Sequence, residues 1–172
     1  MILRIDDWVF DIDVDRTMEY SSVEAKDHCT CAYCRNFYTA VDEYYPDLRP
    51  FLARFGIDIE APDEQMPYDF QGRMYYDSVY MVYGRILQTG NEPIIIDDVV
   101  IRPFTEQIQN IESDANQHYS SPCFSVDVST VILPWVLPEP MEETLSPANE
   151  PSFLKKMWDR LLGRASKSRM NS

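Results

Sequence analysis

Three of the four cysteines fall within six residues, in the stretch Asp27 to Tyr38, DHCTCAYCRNFY. Cys29, Cys31 and Cys34 have C-x-C-x-x-C spacing, with His28 alongside. Thiolates bind zinc well, and a C-x-x-C step lets one turn bring two sulfurs to one ion. A mononuclear zinc site usually draws its other ligands from a second, distant pair, and no second C-x-x-C exists here. The fourth ligand would be Cys123, His28 or His118. His28 adjoins Cys29, so ligation by both would contort the chain. Cys123 is the better choice if the last strand passes the helix start. The expected metal set is therefore Cys29, Cys31, Cys34 and Cys123, with zinc as the ion.

The same cluster admits two other readings. Cys31 and Cys34 at a helix start would form a thiol-redox pair, because a helix N-terminus favours the thiolate. The βαβ setting of thioredoxin-like proteins is missing. Alternatively the thiols are small, readily buried side chains packed under the helix, with Arg35 and Asn36 satisfying nearby backbone groups.

Other chemistry is harder to assemble. The five glycines are scattered, so no phosphate-binding loop forms, and neither H-E-x-x-H nor G-x-S-x-G occurs. Two histidines leave little room for a general base. No catalytic residue is assigned, and the chain reads as a binder rather than an enzyme. Asp11, Asp13 and Asp15 in alternation could gather a hard cation, but alternating acids on a strand are more often its wet face.

The elements that must position the cluster follow from hydrophobic period. Trp8 to Asp15 alternates as a half-buried strand. Arg16 to Asp27 is polar and begins as a short helix. Tyr33, Phe37, Val41 and Tyr44 or Tyr45 recur at helical spacing. Pro46 breaks that helix, and Leu48, Phe51, Leu52 and Phe55 continue its stripe to Gly56. A Pro-marked loop lies around Ala61 to Pro67. Met74 to Gln88 is a long strand whose tyrosines (Tyr75, Tyr76, Tyr80, Tyr83) serve sheet packing first. Thr89-Gly90-Asn91 is a turn signal, so Ile94 to Phe104 is expected to return beside that strand as a hairpin, bulged near Asp97-Asp98. Thr105 to His118 is a short helix or loop. Cys123 to Val136 is a further strand with Phe124, Val126, Val128 and Ile132 on its buried side.

The fold class expected is α+β: an antiparallel β-sheet covered on one face by central helices, plus a C-terminal amphipathic helix. Residues 1–136 form the domain, 137–151 a Pro/Glu-rich linker, and 152–172 a basic amphipathic helix and tail. In that tail Phe153, Met157, Trp158 and Leu161 make an apolar stripe that can meet a partner.

Composition narrows the function classes. The chain has 172 residues, 45% of them hydrophobic and 13% aromatic, enough for a core. The net charge is −14, yet residues from Pro151 onward hold six Lys/Arg and one acid. The remainder holds nine Lys/Arg against 28 Asp/Glu, a balance of −19, and residues 1–150 contain a single lysine, Lys26. Such a body repels phosphate backbones, so nucleic acid is excluded as its partner. A protein partner, in particular a basic one, suits it. Membrane contact is expected only through the C-terminal helix, if at all. Acids stand where a signal peptide would be basic, which reads as cytoplasmic and as keeping the thiols reduced.

The segment Cys29 to Glu64, with YMVYGRIL and FSVDVSTVILPWVLPEP, resembles a family of uncharacterised bacterial proteins sharing a C-x-x-C-R-N-F-Y segment. The resemblance covers the chain up to about Pro140. It implies no established activity and carries over no catalytic residue. The expected function is an acidic cytosolic protein acting through protein binding, with zinc binding or thiol-redox chemistry at Cys29, Cys31 and Cys34 as the alternative.

Overall fold

The computed structural model describes residues 1–24, 29–70, 72–105 and 122–141. His28, His118, most of the segment after Thr105 and the whole C-terminal amphipathic stretch with Phe153, Met157, Trp158 and Leu161 lie outside the described residues. The body runs from Met1 to Met141.

The chain opens with two short strands that alternation alone reveals poorly. β1 (Ile2–Ile5) and β2 (Trp8–Ile12) pair antiparallel, with Ile5 opposite Trp8 across Asp6-Asp7. Asp6 takes the left-handed φ of 48° that this tight turn needs. Aspartate tolerates that region better than most residues. The strand alternation predicted through Asp15 stops at Ile12, because Asp13 starts a helix. Its carboxylate accepts the Arg16 N–H at 3.2 Å and its carbonyl accepts the Thr17 N–H at 3.0 Å, as an N-cap does.

Helix α1 (Val14–Glu24) is pinned to the sheet by Thr17, whose hydroxyl accepts the Tyr83 N–H at 3.1 Å. Helix α2 (Ala32–Tyr44) and the short α3 (Leu48–Ala53) follow. Gly56 ends that run with φ +81°, and a Cβ there would stand 2.6 Å from the Val14 carbonyl oxygen. Glycine is thus required both for the backbone turn and for the approach of α1.

Seven antiparallel strands form one sheet in the described residues, ordered β1-β2-β4-β7-β6-β5, with β3 also pairing β4. β3 (Glu64–Phe70) occupies what sequence reasoning assigned partly to a loop. It carries Pro67, which lacks an N–H and is therefore tolerated on an edge strand. β4 (Arg73–Gln88) is 16 residues long and is flanked by β3 and then β2 on one side and by β7 (Cys123–Leu133) on the other.

This corrects the predicted hairpin of Met74–Gln88 with Ile94–Phe104. Both sides of β4 are taken, and the returning segment is itself a hairpin. β5 (Ile94–Ile96) pairs β6 (Val99–Phe104), with Ile96 opposite Val99. Asp97 and Asp98 are its turn, not a bulge, with φ values of 51° and 68°. Two successive positive φ angles match the twist of a two-residue hairpin.

A second correction concerns β7. Thr130 has φ 70°, which shifts the alternation. Val131 and Leu133 are buried, while Ile132 turns to the other side.

The core lies between the inner face of the sheet and helices α2 and α3. Phe10 shows how three elements meet: its ring lies 5.3 Å from Phe55 edge-on and 5.6 Å from Phe124 in a stack. Phe37 of α2 sits 5.1 Å from Tyr76 of β4. Tyr75, Tyr76, Tyr80 and Tyr83 are all buried, as sheet packing requires. No helix among the described residues is long and apolar enough to cross a membrane.

Candidate metal centre

The three thiols lie at the start of α2, so the site depends on what holds that helix. Its two ends are both tied to the last part of β7 and the chain after it. At the far end the Tyr45 hydroxyl donates to the Ile132 carbonyl at 3.2 Å and accepts the Ile132 N–H at 3.0 Å.

Near the cysteines the anchor is Asn36, which is fully buried. Its amide nitrogen donates to the Tyr76 hydroxyl and to the Pro134 carbonyl, each at 3.1 Å. Its oxygen accepts the Val136 N–H at 2.8 Å. The Tyr76 hydroxyl in turn donates to the Tyr33 carbonyl at 2.9 Å. The backbone-satisfying role predicted for Asn36 is therefore observed.

Arg35 instead forms an ion pair with Glu139. Trp135 packs edge-on against Tyr33 at 5.8 Å and donates to the Glu139 carbonyl at 2.7 Å. The chain from Pro134 to Met141, predicted from 137 onward to be linker, is thus a clasp over the helix start, with Trp135 and Met141 against the core.

On this platform the Sγ atoms of Cys29, Cys31 and Cys34 lie within 4.8 Å of one another. Cys29 and Cys31 are exposed and Cys34 is buried. Cys31 is the N-cap of α2, with extended φ −62° and ψ 160°, and its side chain makes no capping bond. Its carbonyl accepts the Arg35 N–H at 3.0 Å. A thiol in a position that usually carries a hydroxyl or carboxylate leaves the sulfur free for other work.

Electrostatics divide the thiols. The Cys31 N–H and then the Cys31 thiol point at the Cys29 sulfur and lower its pKa. Burial pushes the Cys34 thiol well up, and the neighbouring Cys31 and Cys29 sulfurs push it further. Tyr38 is raised by burial first and by the charges of Cys34 and Cys29, with its hydroxyl hydrogen-bonded to Cys34. Sulfurs this close repel one another as anions, so full ionisation calls for a cation among them.

Cys123 does not join the group, which among the described residues comprises Cys29, Cys31 and Cys34. Cys123 opens β7 opposite Tyr83, while Leu133 at the other end lies opposite Met74. The clasp begins just beyond Leu133. The strand between those two ends is 11 residues long, roughly 30 Å at about 3.3 Å per residue. The condition set for Cys123, that the last strand pass the helix start, is not satisfied at its end of β7; the chain just beyond the other end makes those contacts.

The acids proposed for a hard cation fare differently. Asp11, Asp13 and Asp15 line an open cleft of about 710 Å³, but Arg16, Arg54 and Arg85 line it too. Asp13 is already engaged as a helix cap.

Sequence reasoning missed one polar feature, on the outer face of the sheet. Asp77 lies where the β4–β7 register shifts and is only 6% exposed. One of its carboxylate oxygens has no hydrogen-bond partner. Asp77 falls in a run of buried residues on β4, and nothing in the local sequence marks a carboxylate there as buried. Comparison with known proteins found no matching family model, no matching curated protein and no matching solved structure.

Proposed function

We propose that this is a metal-binding protein whose Cys29, Cys31 and Cys34 thiolates hold one zinc ion at the start of α2. The observation that carries this is the grouping of three sulfurs, two exposed and one buried, within 4.8 Å at a clasped helix end. Zinc–sulfur bonds of about 2.3 Å in a tetrahedron put sulfurs about 3.8 Å apart, so closure around the ion needs movement of an ångström or less. Zinc also neutralises the crowded thiolates, and its uptake releases their protons.

The test is elemental analysis of reduced protein after zinc loading and dialysis. One zinc per chain is expected. Cys29→Ser and Cys31→Ser alter exposed positions, so folding should be retained by circular dichroism while bound zinc falls below about a tenth per chain, because each removes one of three ligands. Full zinc retention in both variants would sink the proposal.

A second reading rests on charge. Exposed acids lie on many elements, among them Asp15, Glu19, Asp42, Asp58, Asp63, Glu64 and Asp69. Such a surface favours a basic protein partner, whose association would be steered by charge. With lysozyme as a basic probe protein, association should weaken at least tenfold between about 0.05 and 0.3 M salt. Salt-independent association, or none at low salt, would argue against it.

A further inference from the structure

We infer that the thiol group is also an oxidation switch, in which a peroxide joins Cys31 and Cys34 in a disulfide and so takes two of three sulfurs from the ion. The inference rests on the zinc reading above for its second half, and on geometry alone for the first.

Cys31 and Cys34 are the N-cap and first-turn positions of one helix. Helical residues three apart have Cβ atoms about 5–6 Å apart, and a disulfide needs roughly 3.5–4.5 Å. Their sulfurs already lie within 4.8 Å. Cys31 has extended φ and ψ, so closure adjusts the residue outside the helix and leaves the helical bonds in place. The Asn36 anchor holds the next turn still.

The pair is also asymmetric in access. Exposed Cys31 meets a dissolved oxidant first, and Cys34, 5% exposed, is reached only by its neighbours. Cys29 is a poorer partner for Cys31, since a bridge across one intervening residue would distort the peptide between them.

The chemistry balances as follows. The Cys31 thiolate attacks a peroxide oxygen, forming an S–O bond and breaking the O–O bond. The other oxygen leaves and takes a proton. The Cys34 thiolate then attacks the Cys31 sulfur, forming the S–S bond and expelling hydroxide, which is protonated to water. Two thiolates lose two electrons, and the peroxide gains two electrons and two protons. With hydrogen peroxide the products are the disulfide and two waters. One thiolate, Cys29, is left at the ion, too few ligands to keep it.

The experiment uses the full chain, loaded with zinc and quantified, then treated with one equivalent of hydrogen peroxide. Released zinc is read with a chromophoric chelator and the thiols are mapped by alkylation and peptide mass spectrometry. About one zinc per chain should appear, with Cys31 bridged to Cys34 and Cys29 alkylated. With zinc removed beforehand, the Cys29→Ser variant should still give the Cys31–Cys34 bridge in the peptide map, and a Cys34→Ser variant should give none.

A bridge through Cys29, or sulfinic acid without any bridge, would overturn the inference, as would zinc that stays bound to bridged protein. A chain that holds no zinc before oxidant is added counts against the metal reading alone. In that case the peptide map still decides whether the bridge forms.

Discussion

Replacing Asn36 with alanine should destabilise the protein by about 2–4 kcal/mol, read as a fall in urea midpoint at unchanged slope. The side chain is fully buried and serves three partners. Alanine leaves the Pro134 carbonyl and the Val136 N–H without the bonds that tie the clasp to α2. Tyr76 keeps its bond to the Tyr33 carbonyl but loses the donor that faces it. Buried groups orphaned in this way cost about 1–3 kcal/mol each, less where the clasp can open to water. Zinc affinity should fall with stability, because the clasp fixes the turn that carries Cys34. A shift under 1 kcal/mol would mean that water replaces the amide and that Pro134 to Met141 adds little.

Asp77 gives the opposite sign. Burial raises its pKa to about 6, and the Asp127 carboxylate adds to the rise, while Tyr75, Arg102 and the Thr130 N–H work against it. The folded state therefore holds this proton more tightly than the unfolded chain does. Stability from the group is fully present below about pH 4, the unfolded pKa, and is lost as pH rises to about 6 and beyond. Above that window the folded protein carries an ionised carboxylate with one unpartnered oxygen.

Asp77→Asn should accordingly stabilise the protein at pH 7 by on the order of 2–3 kcal/mol and make no difference below about pH 4. The measurement is the difference in unfolding free energy between the two proteins at several pH values, which cancels the other acids. A variant less stable at pH 7 would show that the charged form is the one the fold needs.

The parts of the fold legible in the sequence were those governed by period. β4 has the length and alternation of a strand, and Tyr33, Phe37 and Val41 marked the buried stripe of α2. What escaped was pairing and backbone sign. The order of strands depends on which sides of β4 are occupied, and no local pattern records that. The Asp6-Asp7 and Asp97-Asp98 turns depend on aspartate accepting a left-handed conformation. Asp-Asp is a weaker hairpin signal than Asn-Gly, so the pattern alone shows no turn at the first and suggests a bulge at the second. Thr130 is a β-branched residue with positive φ, so the shift along β7 had no signal at all.

At the site, spacing was enough to group Cys29, Cys31 and Cys34, because six residues cannot take them far apart. Whether Cys123 joins them depends on topology, which spacing does not record, and it lies at the end of β7 away from the clasp. Asn36 could be assigned a backbone role from its type, but its partners are 98 and 100 residues away, and only the fold reveals them.

Those separations set the order of events on the ribosome. The start of α2 cannot be closed over until residue 136 has been made, 100 residues after Asn36. At about 5–20 residues per second, that is roughly 5–20 s of synthesis. Throughout that interval the three thiols belong to a nascent chain without its clasp, open to whatever ions and oxidants surround it.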